Sequence, residues 1–312
     1  MSTLTAPVVL MGYRRPEHTK KVFEAIRKWE PSSLFLIMDG PRPGDYRDEE
    51  MVRQTRVVVE EVDWDCSVHR IYAETNLGLK DRVSSGLDQV FDRVDRAIIL
   101  EDDCLPSQSF FQFSSELLER YQNDPRVGLV SGSQRIGRFA PGTTSYLFSR
   151  DVRIWGWATW RRTWQSFRQA GALDAKWSSS QARILARQFA PGVRRQAMRK
   201  MMARAGNLDS WALPFAVFCV TSGYLNPVAG KNLIQNIGLG GDSTHTAFEN
   251  FVVDVPLDEL EFPIAHPQQV AYTFPIDEIE SLRDAAEVLR YPIFHPVDTF
   301  RRLARFAKRV RA

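Results

Sequence analysis

Three consecutive carboxylates, Glu101, Asp102 and Asp103, are the residues of this sequence best suited to chemistry. They follow the apolar run at 97–100, a pattern that predicts a buried strand ending at the acids. Neighbouring carboxylates repel one another, and a divalent cation in front of them would remove that penalty. Since Mg²⁺ and Mn²⁺ are commonly held by one or two carboxylates plus substrate phosphates, the triplet predicts a metal site. An acidic surface loop is the alternative.

The elements that place these acids alternate between strand and helix. Short apolar runs predict strands at 7–12, 34–38, 68–73 and 97–100. Apolar residues at helical spacing or polar helical patterns predict helices at 16–29, 49–62 and 79–92. This order predicts βαβ units and a largely parallel sheet with both faces covered. Ligands of such sheets bind beyond the carboxyl ends of the strands, where the triplet and Asp39 lie.

The second half of the chain has a different pattern. We predict a helix at 109–122, a strand at 127–131, an aromatic-rich region at 146–167, a basic helical stretch at 180–205 and an apolar segment at 211–220. Residues 223–247 are rich in Gly and Asn and predict a loop. Because there is no internal repeat or low-complexity linker, we expect two subdomains that share one sheet.

Composition excludes several classes of protein. Hydrophobic residues make up 44% and charged residues 25% of the 312 residues, and the net charge of +3 does not favour a nucleic-acid partner. Cys66, Cys104 and Cys219 lack zinc or disulfide spacing, as in a reducing compartment. The N-terminal apolar run is too short for a signal peptide, and no run reaches about 18 apolar residues. We therefore expect a cytoplasmic protein.

The segment AIILEDDCLPSQSFFQFSSELLERY, residues 97–121, resembles the strand–acid–helix segment of GT-A glycosyltransferases, in particular the N-acetylglucosaminyltransferase I-type group. Similar pieces precede it in order, namely PVVLMGYRRP, LFLIMDG and TNLGLKDRVSSGLDQVF. The resemblance implies an α/β GT-A fold: a Rossmann-like, mostly parallel central sheet flanked by helices, with an abutting acceptor-binding subdomain. Its implied parts are a nucleotide-sugar-binding half at 1–131, an acceptor and catalytic half at 132–260, and a C-terminal extension at 261–312.

The resemblance also implies a role for each acid of the triplet. Asp103 would ligate Mn²⁺ or Mg²⁺, Asp102 would contact the ribose and Glu101 the donor sugar. In NLDSWALPF, it implies that Asp209 is the catalytic base that takes a proton from the acceptor hydroxyl. The alternative for Asp209 is a helix N-cap.

Four further residues are implied to contact the donor nucleotide. Arg14 would contact the nucleotide and Asp39 would read its base. Lys80 and Arg82 would lie near the diphosphate or the sugar, with a solvated helix face as the alternative.

A Gly-rich stretch follows at 226–246 and ends in Thr-His-Thr. It resembles a segment of related bacterial sugar transferases and predicts a mobile loop over the donor at 238–241. His245 would contact the metal or the diphosphate, and the alternative is a structural or solvated histidine.

Two other features have open interpretations. We expect the clustered tryptophans to be a mixture of core and sugar-facing side chains, namely Trp155, Trp157, Trp160 and Trp164. Gly156 predicts a turn where the backbone approaches a ligand. The tail at 300–312 has basic residues and an apolar face. This pattern predicts a helix that binds an anionic membrane surface, at the inner face of the membrane. The alternative is a solvated terminal helix.

The function that the resemblance implies is metal-dependent, inverting glycosyl transfer. The donor would be a nucleotide-diphosphate sugar, with UDP as the expected nucleotide, and the acceptor a hydroxyl of a glycan or lipid-linked sugar, as in polysaccharide biosynthesis. One alternative is a sugar nucleotidyltransferase, which would usually have a Gly-rich loop after the first strand, where this chain has GYRRPEHT. The other is a non-catalytic carbohydrate-binding protein with the same fold.

Overall fold

The computed structural model of this protein describes residues 5–137, 144–189, 192–205, 208–238, 255–273 and 275–294. Its strands are β1 Val8–Gly12, β2 Ser33–Met38, β3 Ser67–Tyr72, β4 Arg96–Glu101, β5 Cys104–Pro106, β6 Leu129–Ser131, β7 Tyr146–Ser149, β8 Trp157–Trp160, β9 Asn226–Ala229 and β10 Ile234–Asn236. Its α-helices are α1 Pro16–Trp29, α2 Tyr46–Val59, α3 Gly78–Phe91, α4 Gln108–Arg120, α5 Arg161–Gln169, α6 Ser179–Leu185, α7 Val193–Ala205, α8 Ala212–Thr221 and α9 Ile276–Phe294.

Eight of the strands form one sheet in the order β3-β2-β1-β4-β8-β6-β9-β7. The first four are parallel, and β1 lies between β2 and β4 with Val8 opposite both Leu34 and Ile98. Strand β8 runs antiparallel to β4 and joins the second half of the chain to the same sheet. The protein is therefore α/β with a mostly parallel, Rossmann-like sheet, and the two halves share that sheet as expected.

Both faces of the parallel strands are buried, which explains their continuous apolar sequence. On one face Val8 and Leu10 pack in a cluster with Phe111 of α4. On the other face Val9 packs in a cluster with Phe215 of α8. Helices thus cover both faces and leave the strand ends open for a ligand.

The structure confirms the strands and helices predicted for the first 121 residues, with small changes at their ends. Helix α2 begins at Tyr46 because Asp45 caps it, its carboxylate accepting the backbone N–H of Asp48. The predicted basic helical stretch is two helices, α6 and α7, and the sequence between them contains Pro191, which cannot continue a helix.

The prediction of a continuous loop at 223–247 was wrong. Strand β9 joins the main sheet between β6 and β7, and β10 pairs with β5 in a separate antiparallel ribbon. Strands of three or four residues show too little periodicity to be recognised from sequence. The part of the predicted loop from residue 239 onward, including His245, and the predicted tail helix at 300–312 lie outside the described residues.

Helix α9 packs beside the second half of the sheet, where Ile276 joins a small apolar cluster with Leu147 and Val228. Within the described ranges, no helix combines the length and the apolar character needed to cross a bilayer.

Candidate functional site

A cavity of about 460 Å³ opens at the carboxyl ends of β1, β2 and β4. The residues after these strands line it, together with the first turns of α3, the end of β10 and Asp209. This is the edge at which open parallel sheets bind ligands. The structure therefore brings most of the predicted site residues to one place, although they are far apart in sequence.

The acidic triplet forms one wall of this cavity. Asp102 is buried and accepts the backbone N–H of Tyr13. Arg15 Nη1 lies 2.9 Å from Asp103 Oδ2 and 3.8 Å from Asp102 Oδ1. The sequence analysis missed Arg15 and chose its neighbour Arg14, because the Arg-Arg pair alone does not say which guanidinium turns toward the acids.

Negative charge at this wall exceeds what Arg15 neutralises. Burial, and then the adjacent charge of Asp103, raise the pKa of Asp102 well above its usual range, while Arg15 opposes that rise. Glu101 lines the same cavity. A further cation, or a ligand rich in hydroxyl donors, would be stabilised in front of these acids.

The donor set at the triplet suits a hard cation that takes its remaining ligands from a substrate. Asp102 and Asp103 supply carboxylate oxygens, the ligands that Mg²⁺ and Mn²⁺ prefer. Among the described residues, no group of three His, Cys, Asp or Glu side chains could by itself hold a metal ion. The two carboxylates therefore fit a cation that is shared with bound phosphates, and the metal site stays a prediction.

The ribbon of β5 and β10 fixes the position of Asp103. The backbone N–H of Ile237 donates to the carbonyl oxygen of Asp103 at 2.8 Å. A Cβ atom at Gly238 would lie 2.5 Å from Asp103 Oδ2, so only glycine fits against this carboxylate without displacing it. The chain after β10 thus forms part of the cavity wall.

Arg82 is a cation of the cavity wall that forms no ion pair with a described acid. Its side chain lines the cavity and is only 6% exposed, and its Nε and Nη2 atoms have no hydrogen-bond partner among the described residues. Burial lowers the pKa of Arg82, and the charge of Asp39 partly offsets this effect, but arginine stays protonated at neutral pH. A buried guanidinium without an acid partner is suited to a phosphate or carboxylate ligand.

Lys80 is not among the residues that line this cavity, and its place near the diphosphate or the sugar stays a prediction. It forms an ion pair with Asp174 outside the cavity. The reason is helical geometry: Leu79, Arg82 and Val83 are three or four residues apart and turn one face of α3 to the cavity, and Lys80 falls on another face.

Asp39 lies in the cavity wall, but its carboxylate is already occupied. Oδ1 accepts the backbone N–H groups of Gly40 and Leu77, and Oδ2 accepts the backbone N–H of Gly78 and the side-chain amide of Asn76. An ionised carboxylate has about four acceptor positions, so all of them are used. Asp39 fastens β2 to the start of α3, and a contact with a nucleotide base stays a prediction.

Arg14 lies at the rim of the cavity. Its Nη1 atom is 2.7 Å from Oδ1 of the buried Asp48, which also accepts the hydroxyl of Tyr13 and the backbone N–H of Arg42. Burial would raise the pKa of Asp48, but these hydrogen bonds outweigh it and hold the pKa below its usual range. Asp48 thus fixes the turn between β1 and α1 that carries Arg14.

Asp209 reaches the same cavity from the second half of the chain. It is exposed, and a Cβ atom at Gly78 would lie 3.5 Å from its Oδ2 atom. It does not cap α8, whose N-cap residue is Trp211. The ring of Trp211 stacks on Trp157 with 5.6 Å between centroids, which anchors this segment to β8. An exposed carboxylate held at a cavity mouth is able to accept a proton.

Three of the four clustered tryptophans belong to the core. Trp157, Trp160 and Trp164 are buried, and Trp155 is half-buried. A Cβ atom at Gly156 would lie 2.2 Å from a side-chain carbon of Ile234, so Gly156 accommodates β10, not a ligand. The aromatic cluster thus supports the cavity from behind.

Neither a scan of protein families nor a search of curated proteins finds a match to this chain. Similar solved structures include the 4-diphosphocytidyl-2C-methyl-D-erythritol synthase from Anaerococcus prevotii, at 8% identity and a TM-score of 0.33, covering 55% of this chain and 80% of that one. Another is a UDP-glucose pyrophosphorylase complexed with UDP-glucose, at 8% identity and a TM-score of 0.37, covering 74% and 94%. Similarity at this level carries no argument about the activity of this chain.

Proposed function

We propose that this protein is a transferase that binds a nucleoside-diphosphate sugar in the cavity at the carboxyl ends of β1, β2 and β4. The observation that supports this proposal is the pairing of opposite charges in one cavity. Arg82 offers a largely desolvated guanidinium in the cavity wall, suited to phosphate oxygens, and Asp102 and Asp103 offer carboxylates suited to a cation or to sugar hydroxyls. A nucleoside-diphosphate sugar contains both kinds of group within one molecule.

In this proposal Asp103, with Asp102 beside it, holds Mn²⁺ or Mg²⁺ together with the substrate phosphates. Such a cation would offset the charge of the diphosphate and of the leaving group. Arg15 pairs with the same carboxylates, so it must yield at least part of this contact when a cation binds. His245, the other predicted ligand, lies outside the described residues.

We further propose glycosyl transfer as the reaction. Arg82 holds the diphosphate so that the anomeric carbon faces the mouth of the cavity, and Asp209 takes the proton of an acceptor hydroxyl as that oxygen attacks. Attack opposite the leaving diphosphate would invert the anomeric centre. We propose a UDP-sugar as the donor and a glycan or lipid-linked sugar as the acceptor. The same proposal includes a role in polysaccharide biosynthesis and a cytoplasmic location at the inner face of the membrane.

Sugar nucleotidyl transfer is the second candidate. The names of the two similar solved structures point to it, at a similarity too low to choose between the reactions. Against it stands the turn after β1, where Tyr13, Arg14 and Arg15 follow a single Gly12. A Gly-rich turn would bring more backbone N–H groups to a triphosphate.

Product analysis separates these reactions. The protein is incubated with Mn²⁺ and a panel of nucleotide sugars, and separately with nucleoside triphosphates and sugar 1-phosphates. Glycosyl transfer, or its hydrolytic side reaction, releases nucleoside diphosphate from the first mixture. Pyrophosphate from the second mixture would instead establish nucleotidyl transfer, and binding without turnover in either would favour a carbohydrate-binding protein.

Asp209→Asn tests the proposed base. Replacing the carboxylate removes the proton acceptor, so we expect turnover to fall by about 10²- to 10⁴-fold. Nucleotide affinity should stay unchanged, because Asp209 is exposed and holds no described binding residue in place. Full turnover in Asp209→Asn would exclude this assignment.

A further inference from the structure

Helices α6 and α7 form a positively charged lobe that packs on α8. Between Ala175 and Leu208 the chain has eight Lys or Arg residues and no Asp or Glu. Because the whole chain has a net charge of only +3, the remaining residues are net negative. The charge is thus concentrated in one part of the molecule.

Exposed arginines without an ion pair to a described acid also occur elsewhere, such as Arg47 and Arg93, but other arginines have an acid beside them. Arg27 pairs with Glu24 on α1, for example, and Arg53 pairs with Glu50 on α2. In the lobe five basic side chains are exposed and form no ion pair with any described acid, namely Lys176, Arg183, Arg187, Arg199 and Lys200. These charges are free to meet an anionic partner.

The packing of α7 turns these charges outward. Met198 and Met202 lie on its inner face, in a cluster with Ala182 of α6 and Val217 of α8. Arg199 and Lys200 lie on the opposite face and are exposed. The lobe is therefore an amphipathic layer with an apolar inner side and a cationic outer side.

Large apolar side chains are exposed among the charges. Ile184 is 62% exposed, Val193 38% and Leu208 53%. A soluble polyanion would pair with the cations and leave these side chains in water. A lipid bilayer with anionic head groups can bind both the basic and the apolar side chains. Its surface attracts Lys and Arg, and its interfacial region takes up apolar side chains.

We propose that the outer face of α6 and α7 binds an anionic membrane surface. This contact is separate from that predicted for the tail at 300–312, and it does not depend on the reaction catalysed in the cavity. Since Leu208 is next to Asp209, the contact would place the mouth of the cavity near the bilayer, within reach of a lipid-linked acceptor.

Vesicle sedimentation of the full chain tests this proposal. Phosphatidylcholine vesicles with and without phosphatidylglycerol are compared, and we expect binding that requires phosphatidylglycerol and weakens with added salt. Arg199→Gln with Lys200→Gln should reduce partitioning by about fivefold for each charge removed. The matched control, Lys20→Gln with Lys21→Gln on the exposed face of α1, should bind like the unchanged chain.

A second pair of substitutions distinguishes a bilayer from a soluble polyanion. Ile184→Ser with Val193→Ser keeps every charge, and a severalfold loss of vesicle binding would support insertion into the interface. The bilayer proposal would be overturned if this variant bound vesicles as well as the unchanged chain and if polyphosphate displaced the vesicles from the protein. These results would favour a soluble anionic partner. Equal binding of the lobe and control charge variants would overturn any role of the lobe. All changed side chains are exposed, and equal melting temperatures establish that the variants fold.

Discussion

At the scale of single residues, Arg15 and Arg82 meet an entering ligand differently. The guanidinium of Arg15 is paired with Asp103, so a phosphate must compete with that carboxylate for it. Arg82 lies in the cavity wall, is already largely desolvated and forms no ion pair with a described acid, so a phosphate that binds there displaces no carboxylate. We therefore expect Arg82 to supply affinity for the phosphates of the nucleotide. We expect Arg15 to link cation binding with nucleotide binding, because a cation at Asp103 would release its guanidinium.

Arg15→Gln tests this link. Without the guanidinium, Asp103 loses its internal cation, and a metal ion no longer has to displace it. We expect the affinity for Mn²⁺ without nucleotide to rise by about tenfold, as judged from the strength of charged hydrogen bonds. Electron paramagnetic resonance of free Mn²⁺ measures this affinity, with Lys20→Gln on the same helix as the control. An unchanged or weaker affinity in Arg15→Gln would contradict the competition.

At the scale of elements, the turn between β1 and α1 depends on α2. Tyr13 and Arg14 belong to the turn, and both hydrogen bond to Asp48 in the first turns of α2. The buried carboxylate is thus the contact that fixes the rim of the cavity. Its loss would leave the hydroxyl of Tyr13 and the N–H of Arg42 without their acceptor.

Asp48→Asn should therefore lower the free energy of unfolding by about 2 kcal/mol at neutral pH. The pKa of Asp48 is lower in the folded than in the unfolded chain. Its stabilisation is thus complete above the unfolded value of about 3.9 and is lost as the pH falls through the lower folded pKa. Urea unfolding at neutral and acidic pH measures the difference, with the exposed Glu49→Gln as control. A difference that does not shrink in acid would contradict this account.

At the scale of the whole molecule, one buried ionic cluster joins α9 to the rest of the chain. Asp277 of α9 accepts from the hydroxyl of Ser149 and the backbone N–H of Arg150, and lies 3.2 Å from Nη2 of Arg153. Arg153 also pairs with Glu280 at 2.5 Å. These contacts hold the start of α9 against β7 at the edge of the sheet.

Asp277→Ala should lower the free energy of unfolding by about 3–5 kcal/mol, because it removes a buried carboxylate from the cluster and leaves Arg153 with Glu280 as its remaining acid. The exposed pair of Glu50 and Arg53 offers a matched comparison, and Glu50→Ala should leave stability unchanged within error. Urea unfolding of both variants checks this contrast. A small effect of Asp277→Ala would show that water enters the cluster and replaces the lost carboxylate.

The sequence predicted the parallel strands and the cavity edge because apolar runs and the acids after β4 are local signals. It could not separate Arg14 from Arg15, since Arg14 turns toward Asp48 and Arg15 toward Asp103, and both acids are distant in sequence. It also could not predict that Asp39 is saturated, because its donors at 76–78 follow more than thirty residues later. Contacts between distant segments decided both outcomes.

The claim that this cavity binds a nucleoside diphosphate is tested most directly by calorimetric titration of UDP and Mn²⁺. The unchanged protein should bind, and Arg82→Gln should bind about 10- to 100-fold more weakly through loss of charged hydrogen bonds. Lys80→Gln, on the same helix but paired with Asp174 outside the cavity, should bind as the unchanged protein does. Absence of binding by the unchanged protein to UDP, CDP, GDP and dTDP, or equal losses in both variants, would contradict the account.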